Sequence, residues 1–218
     1  MTPDTPRLRL VVLISGDGSN LQALIDASRH DLPVDIVGVI SNVPAAGGLA
    51  RAERAGLPSQ VLNHRRFTDR AAFDSALARL IDDHQPGLVC LAGFMRILTA
   101  DFVQRYVGRL LNIHPSLLPA YRGLDTHARA LANGDREHGC SVHFVTSELD
   151  GGPVIVQARV PVLSTDSPAT LAQRVLRREH EIYPRAVRWF ASGRLQLTAS
   201  GVRLDGQPLP LPVIIPPA

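Results

Sequence analysis

Cysteine is scarce. Cys90 and Cys140 are the only two in 218 residues, and two cannot build a disulfide framework. Cys90 lies in the apolar run LVCLAG, the setting of a small buried hydrophobe rather than a reactive thiol. Aromatic residues make up only 5% of the chain and the arginines are scattered, so no basic, aromatic surface for nucleic acid can be read. No apolar stretch approaches the roughly 18 residues of a membrane span. The N-terminus MTPDTPRLR lacks the hydrophobic core of a signal peptide, and a cytoplasmic location is expected. Metal-ligand patterns are missing too. The eight histidines show no His-x-x-x-His spacing and there are no paired cysteines, so no metal is expected. His127, His138 and His143 are each read as surface or structural residues.

What remains is ordinary for a globular chain: 45% apolar residues, 20% charged residues and a formal charge of +3. The mild basic bias fits an anionic small substrate. The length suits one large domain, and neither an internal repeat nor a linker-like shift in composition divides it. One domain over residues 8–207 is expected. Residues 1–7 and the Pro-rich tail 208–218 are expected to be poorly ordered.

Short apolar runs alternate with amphipathic stretches through the first half. LRLVVLIS, VDIVGVIS, SQVLN, GLVCLAG and RLLNI read as strands. Helices are predicted near residues 21–28, 49–55 and 68–82, the last from apolar residues at Ala72, Phe73, Ala76, Leu77, Leu80 and Ile81. Strands without polar alternation, separated by helices, predict a parallel α/β sheet covered on both faces. The second half differs. Residues 141–162 read as two strands joined by a Gly-Gly-Pro turn, an antiparallel addition. A long helix is predicted over 168–191, with Pro184 ending or kinking it.

SGDGSN, residues 15–20, follows the first strand and opens a helix. Its glycines permit close approach, and a helix start offers unpaired N–H groups and a positive dipole end. It is not a dinucleotide fingerprint: Leu21 stands at the third glycine position, and the second strand ends in Ser41-Asn42 without a ribose-binding acid. A phosphate monoester fits better. A plain turn capped by Ser19 is the alternative. Asp17 is awkward beside a phosphate and has to point away from it.

LLNIHPSLLP, residues 110–119, puts an Asn and a His two apart in an apolar run that two prolines close. On a strand Asn112 and His114 share a face, and Pro115 ends the strand with His114 at its mouth. A carboxylate to orient the ring and raise its pKa would complete a site. Asp150 in ELDGGP is the candidate, although Asp-Gly is also a common turn dipeptide. No activated nucleophile is evident: Ser116 has no base in view and Cys90 reads as buried.

LISGDGSNLQALIDA, LAGFMRIL, LLNIHPSLLPAYRGL and HFVTSELDGGPVI occur in this order across the chain. Together they closely resemble the phosphoribosylglycinamide formyltransferase family, folate-dependent enzymes of purine synthesis with a Rossmann-like formyltransferase fold. The likeness covers residues 8–207; NIHPSLLP alone would indicate only the wider superfamily. The resemblance implies that Asn112, His114 and Asp150 are catalytic, and that Gly18, Ser19 and Asn20 hold the ribonucleotide phosphate. It implies that Glu179 contacts the ribose, and that Arg70, Met95, Arg96, Ile97 and Leu98, with Asn112, line the 10-formyltetrahydrofolate pocket. The cosubstrate implied is that folate, with small-molecule substrates, no metal, and a monomer or homodimer. Outside the resemblance, Met95, Ile97 and Leu98 read as core residues, Arg70 as a solvated charge, and Glu179 as a partner of Arg177 or Arg178. Two positions depart from the family: Asp17, where Asn is frequent, and Asp125, where His is frequent. Rivals are a 10-formyltetrahydrofolate deformylase, expected to carry an extra N-terminal domain, and a methionyl-tRNA formyltransferase, expected to carry a C-terminal one. A non-catalytic nucleotide-binding module is the alternative of a different class.

Overall fold

In the computed structural model, which describes residues 7–217, the apolar runs become the strands of one sheet. β1 (Leu8–Ile14), β2 (Val34–Ser41), β3 (Ser59–Val61), β4 (Leu88–Leu91) and β5 (Leu110–His114) are all parallel. β6 (Glu137–Phe144) runs antiparallel to β5, and β7 (Val154–Pro161) antiparallel to β6. Val213–Ile215, β11, adds in parallel to the far edge of β7, giving the order β11-β7-β6-β5-β4-β1-β2-β3. The sheet is mostly parallel with an antiparallel addition in its second half, as expected. Leu195–Thr198, Gly201–Leu204 and Gln207–Pro208, strands β8 to β10, form a separate small antiparallel sheet.

The tail corrects an expectation. Residues 208–218 were expected to be poorly ordered, but Val213, Ile214 and Ile215 pair with Val156, Gln157 and Ala158. Their β-branched side chains suit an edge strand, and the flanking prolines only limit its length. Residues 1–6, expected to be poorly ordered, lie outside the described residues.

Helices cover both faces, so the central strands carry apolar side chains on both sides. On one face α1 (Ser19–Ser28) and α6 (Pro168–Ala191) enclose Leu10, Val12, Ile14, Leu111, Val142 and Tyr183. On the other, α3 (Arg70–Asp82) and α4 (Ala100–Arg105) enclose Val11, Leu13, Phe73, Val89 and Tyr106. α2 (Gly47–Arg54) precedes β3, and α5 (Thr126–Ala132) precedes β6. α6 starts with a capping box: Ser167 Oγ accepts from Thr170 N, the Thr170 hydroxyl accepts from Ser167 N, and Pro168 sits in the first turn. It passes through Pro184 without ending, contrary to one branch of the expectation.

β1 lies between β4 and β2, so the chain reverses its direction of travel across the sheet at β1 and β4. A crevice forms at such a switch point, outside the carboxyl ends of the strands. Residues 15–20 and 112–114 both stand at those ends.

Candidate active site

β5 ends at His114, as Pro115 requires, and Asn112 and His114 share a face of it. His114 is buried; its Nδ1 lies 3.5 Å from Asp150 Oδ2. Its Nε2 donates to Tyr121 O at 2.9 Å, because a carbonyl oxygen can only accept. Both ring nitrogens therefore face acceptor oxygens. Asp150 is reached by the turn after β6. It has φ of 47°, a left-handed conformation that Asp tolerates better than most residues, and its Oδ2 also accepts from Gly123 N at 2.9 Å. The sequence-predicted trio thus converges on one spot.

A fourth side chain joins it. His143 sits on β6 directly opposite Asn112, 2% exposed, with Nε2 3.0 Å from Asn112 Nδ2 and 3.8 Å from Asp150 Oδ1. Its Nδ1 donates to Phe144 O at 2.9 Å. Burial, the largest influence, pulls its pKa below the usual histidine value. His143 was expected to be a surface or structural residue; it is buried, not at the surface, and it also touches two of the three site residues. The signal that could have found it is its cross-strand pairing with Asn112, which needs the register.

Beside this cluster a cleft of 150 Å³ is lined by Phe94, Arg96, Ile97, Leu98, Asn112, His143 and the turn 145–150. Arg96 spreads its guanidinium over the Phe73 ring at 4.9 Å. Met95 and Ile97 are 69% and 53% exposed, so they are not the core residues that their sequence neighbourhood suggests. Leu98, at 9%, is buried. Arg70 is an exposed first residue of α3 and does not line the cleft; neither does Met95.

The glycine loop lies at the mouth of β1. Gly18, not Ser19, takes the position before α1, with φ of 78° and no side-chain cap. A Cβ there would stand 2.5 Å from Gly48 Cα, so no larger residue fits. The Asp17 carboxylate is turned to Arg51, with Nη2 donating to Oδ2 at 2.8 Å. Asn20 Nδ2 donates to Glu179 Oε2 at 2.6 Å, across 159 positions. Both are buried, and burial pushes the Glu179 carboxyl above its usual range, against the lowering effect of the Asn20 hydrogen bond. Arg178 pairs instead with Glu181, and among the described residues Glu179 makes no ion pair with Arg177 or Arg178. Among the described residues Asn20 is the one side chain that bonds its carboxylate, and it holds it at the loop.

Tyr121 and Gly123 belong to the segment between β5 and α5. It is tied down by Tyr121 Oη donating to Asp135 and by an Arg122–Glu148 ion pair. Asp125 is exposed at φ 57° before α5, with no side-chain bond to the trio among the described residues. No helix among the described residues is long and apolar enough to cross a membrane.

A glycine loop at a helix start, an Asn/His/Asp cluster and a partly apolar cleft at the switch point of this sheet are the parts of a group-transfer enzyme. Residues 8–187 match the formyl transferase family, and the chain belongs to that family. The phosphoribosylglycinamide formyltransferase of Escherichia coli K12 is 54% identical over 204 residues, 93% of this chain and 96% of that protein. The solved structure of the phosphoribosylglycinamide formyltransferase from Coxiella burnetii is similar with a TM-score of 0.90 at 52% identity, covering 93% of this chain and 96% of that one. A formyltetrahydrofolate deformylase from Burkholderia mallei shares the fold at a TM-score of 0.82, but at 28% identity, covering 91% of this chain and 70% of that one.

Proposed function

We propose that this chain transfers the formyl group of 10-formyltetrahydrofolate to the amine of 5-phosphoribosylglycinamide. The products are formylglycinamide ribonucleotide and tetrahydrofolate, in de novo purine biosynthesis. The convergence of Asn112, His114 and Asp150 beside the cleft carries the reading. The 54% identity to a named transferase, against 28% to a deformylase, favours an amine over water as acceptor.

The amine nitrogen attacks the formyl carbon on N10, and negative charge grows on the formyl oxygen of a tetrahedral intermediate. Asn112 has one amide N–H on His143, which leaves the second for that oxygen. His114 supplies positive charge beside it. A donor aimed at developing charge is worth about 10²–10³ in rate. Collapse breaks the bond to N10. One proton leaves the amine and one arrives at N10, so the balance is a single transfer, which His114 with water carries at a gain of about 10²–10⁴. Asp150 orients the ring. No covalent enzyme intermediate and no metal is called for.

Gly18, Ser19 and Asn20 receive the phosphate on N–H groups at the start of α1, and Glu179 receives the ribose hydroxyls. Arg70, Met95, Arg96, Ile97, Leu98 and Asn112 contact the folate. A cleft of 150 Å³ is below the roughly 300–1,000 Å³ of drug-sized pockets, so only part of a folate enters it. The exposed side chains of Met95 and Ile97 then cover the remainder. One catalytic unit, acting in the cytoplasm as a monomer or homodimer, suffices.

Tetrahydrofolate release, followed by absorbance with and without the ribonucleotide, tests the reading. Release that requires the ribonucleotide supports it. Release in water alone would make the chain a deformylase, and no release would leave a binding module.

A further inference from the structure

The glycine loop is held from behind by the start of α2. Gly48 N donates to Gly16 O at 3.1 Å, and Arg51 Nε donates to Asp17 O at 2.8 Å. In a trans peptide the carbonyl and the next N–H point in opposite directions. Pinning these two carbonyls towards α2 therefore turns the N–H groups of Asp17 and Gly18 to the other side of the loop. There they join those of Ser19 and Asn20 at the open start of α1. Among the described residues none of these four N–H groups has a protein acceptor. Successive N–H groups aimed to one side make an anion cradle.

The same guanidinium also meets the charge problem. Asp17 puts a carboxylate beside the cradle, and Arg51 Nη2 holds that carboxylate at 2.8 Å. The arginine stem lies along Gly18, where a Cβ would stand 3.5 Å from Arg51 Cδ. An exposed ion pair of this sort adds little to folding. Its side chains are 25% and 73% exposed, so its removal leaves the core intact.

We propose that Arg51 is the positioning residue of the phosphate site: one side chain turns the Gly18 N–H outward to the phosphate, beside the Asp17 N–H that Gly48 turns, and cancels the Asp17 carboxylate next to it. This rests on the assignment of the ribonucleotide phosphate to residues 18–20.

Steady-state kinetics against both substrates test it, using Arg51→Met, Arg51→Lys, Asp17→Asn and Arg51→Met with Asp17→Asn. Arg51→Met is expected to raise KM for the ribonucleotide about tenfold, the scale of one charge-assisted contact, with kcat and the folate KM within about twofold. Arg51→Lys keeps the charge without the two-point hold and falls between. Adding Asp17→Asn to Arg51→Met recovers about threefold, because the unscreened carboxylate is gone while the peptide stays unpinned. An unchanged ribonucleotide KM in Arg51→Met overturns the proposal. So do equal losses for both substrates, which a merely structural role would give. Failure to recover in the double variant overturns the charge-cancelling half. Ser19→Asp separates the two readings. If it raises the ribonucleotide KM and Arg51→Met does not, the phosphate assignment stands and the role of Arg51 falls; if neither changes it, both fall.

Discussion

Asn112 and His143 face each other across the β5–β6 ladder, with Nδ2 3.0 Å from Nε2. Because His143 Nδ1 donates to Phe144 O, its Nε2 is a bare acceptor in the neutral ring, and the amide must present its NH₂ to it. Burial lowers the pKa of that ring and so favours its neutral form. The orientation of Asn112 is therefore fixed before any substrate arrives. His143→Leu is expected to lower kcat by about 10–100-fold, less than outright loss of an oxyanion donor. His143→Gln, which keeps an acceptor, loses less. Measured kcat values in the order wild type, Gln, Leu check this; equal values for Gln and Leu would contradict it.

Asp150→Asn keeps an oxygen for Gly123 N but removes the charge facing His114. Turnover is expected to fall by about 10²-fold or more while KM for both substrates holds. Initial-rate kinetics decide; an unchanged rate removes Asp150 from the mechanism.

Glu179 illustrates a cost of function. Its folded pKa is raised by burial above the unfolded value, so the stability it contributes is present at low pH and lost as pH rises through the folded pKa. Glu179→Gln removes that loss and still accepts from Asn20. Its melting temperature is expected to exceed wild type at pH 8 by more than at pH 5, while KM for the ribonucleotide rises. Melting curves at the two pH values would contradict this if the gain were larger at pH 5.

His138 is buried against His127, Nε2 3.2 Å from Nδ1, and its pKa is lowered to about 4, chiefly by burial. The unfolded chain binds this proton from about pH 6.5 downward, and the folded chain only near pH 4. Stability is then complete above pH 6.5 and falls on acidification through that window, by about 3 kcal/mol in all for His138 and by about 2 kcal/mol of that between pH 7 and pH 5. His127 and His143, also lowered mainly by burial, add in the same direction. Urea titrations at pH 7 and pH 5 measure the fall, and His138→Gln should reduce it.

The sheet and the trio were legible because their signals are local. Apolar runs such as LVVLI mark strands buried on both faces, and Pro115 fixes where β5 stops. Asp150 could be named from its turn, but its approach to His114 depends on the β5–β6–β7 register. His143 stayed hidden because its place opposite Asn112 depends on the β5–β6 register, a pairing across 31 positions that no local pattern records. Arg51 and Asp17 are 34 positions apart, and Asn20 and Glu179 are 159 apart, so no spacing reveals either pair. α4 and α5, of six and seven residues, are too short to show a helical period. β11 was masked by its prolines, since strand pairing is a tertiary matter that composition does not record.

The most direct test of the central claim is tetrahydrofolate release at saturating 10-formyltetrahydrofolate and ribonucleotide, wild type against His114→Ala, with folding checked by circular dichroism. Wild type is expected to turn over only when the ribonucleotide is present, and His114→Ala to lose at least about 10²-fold of that rate. A folded His114→Ala protein that turns over at the wild-type rate would contradict the account.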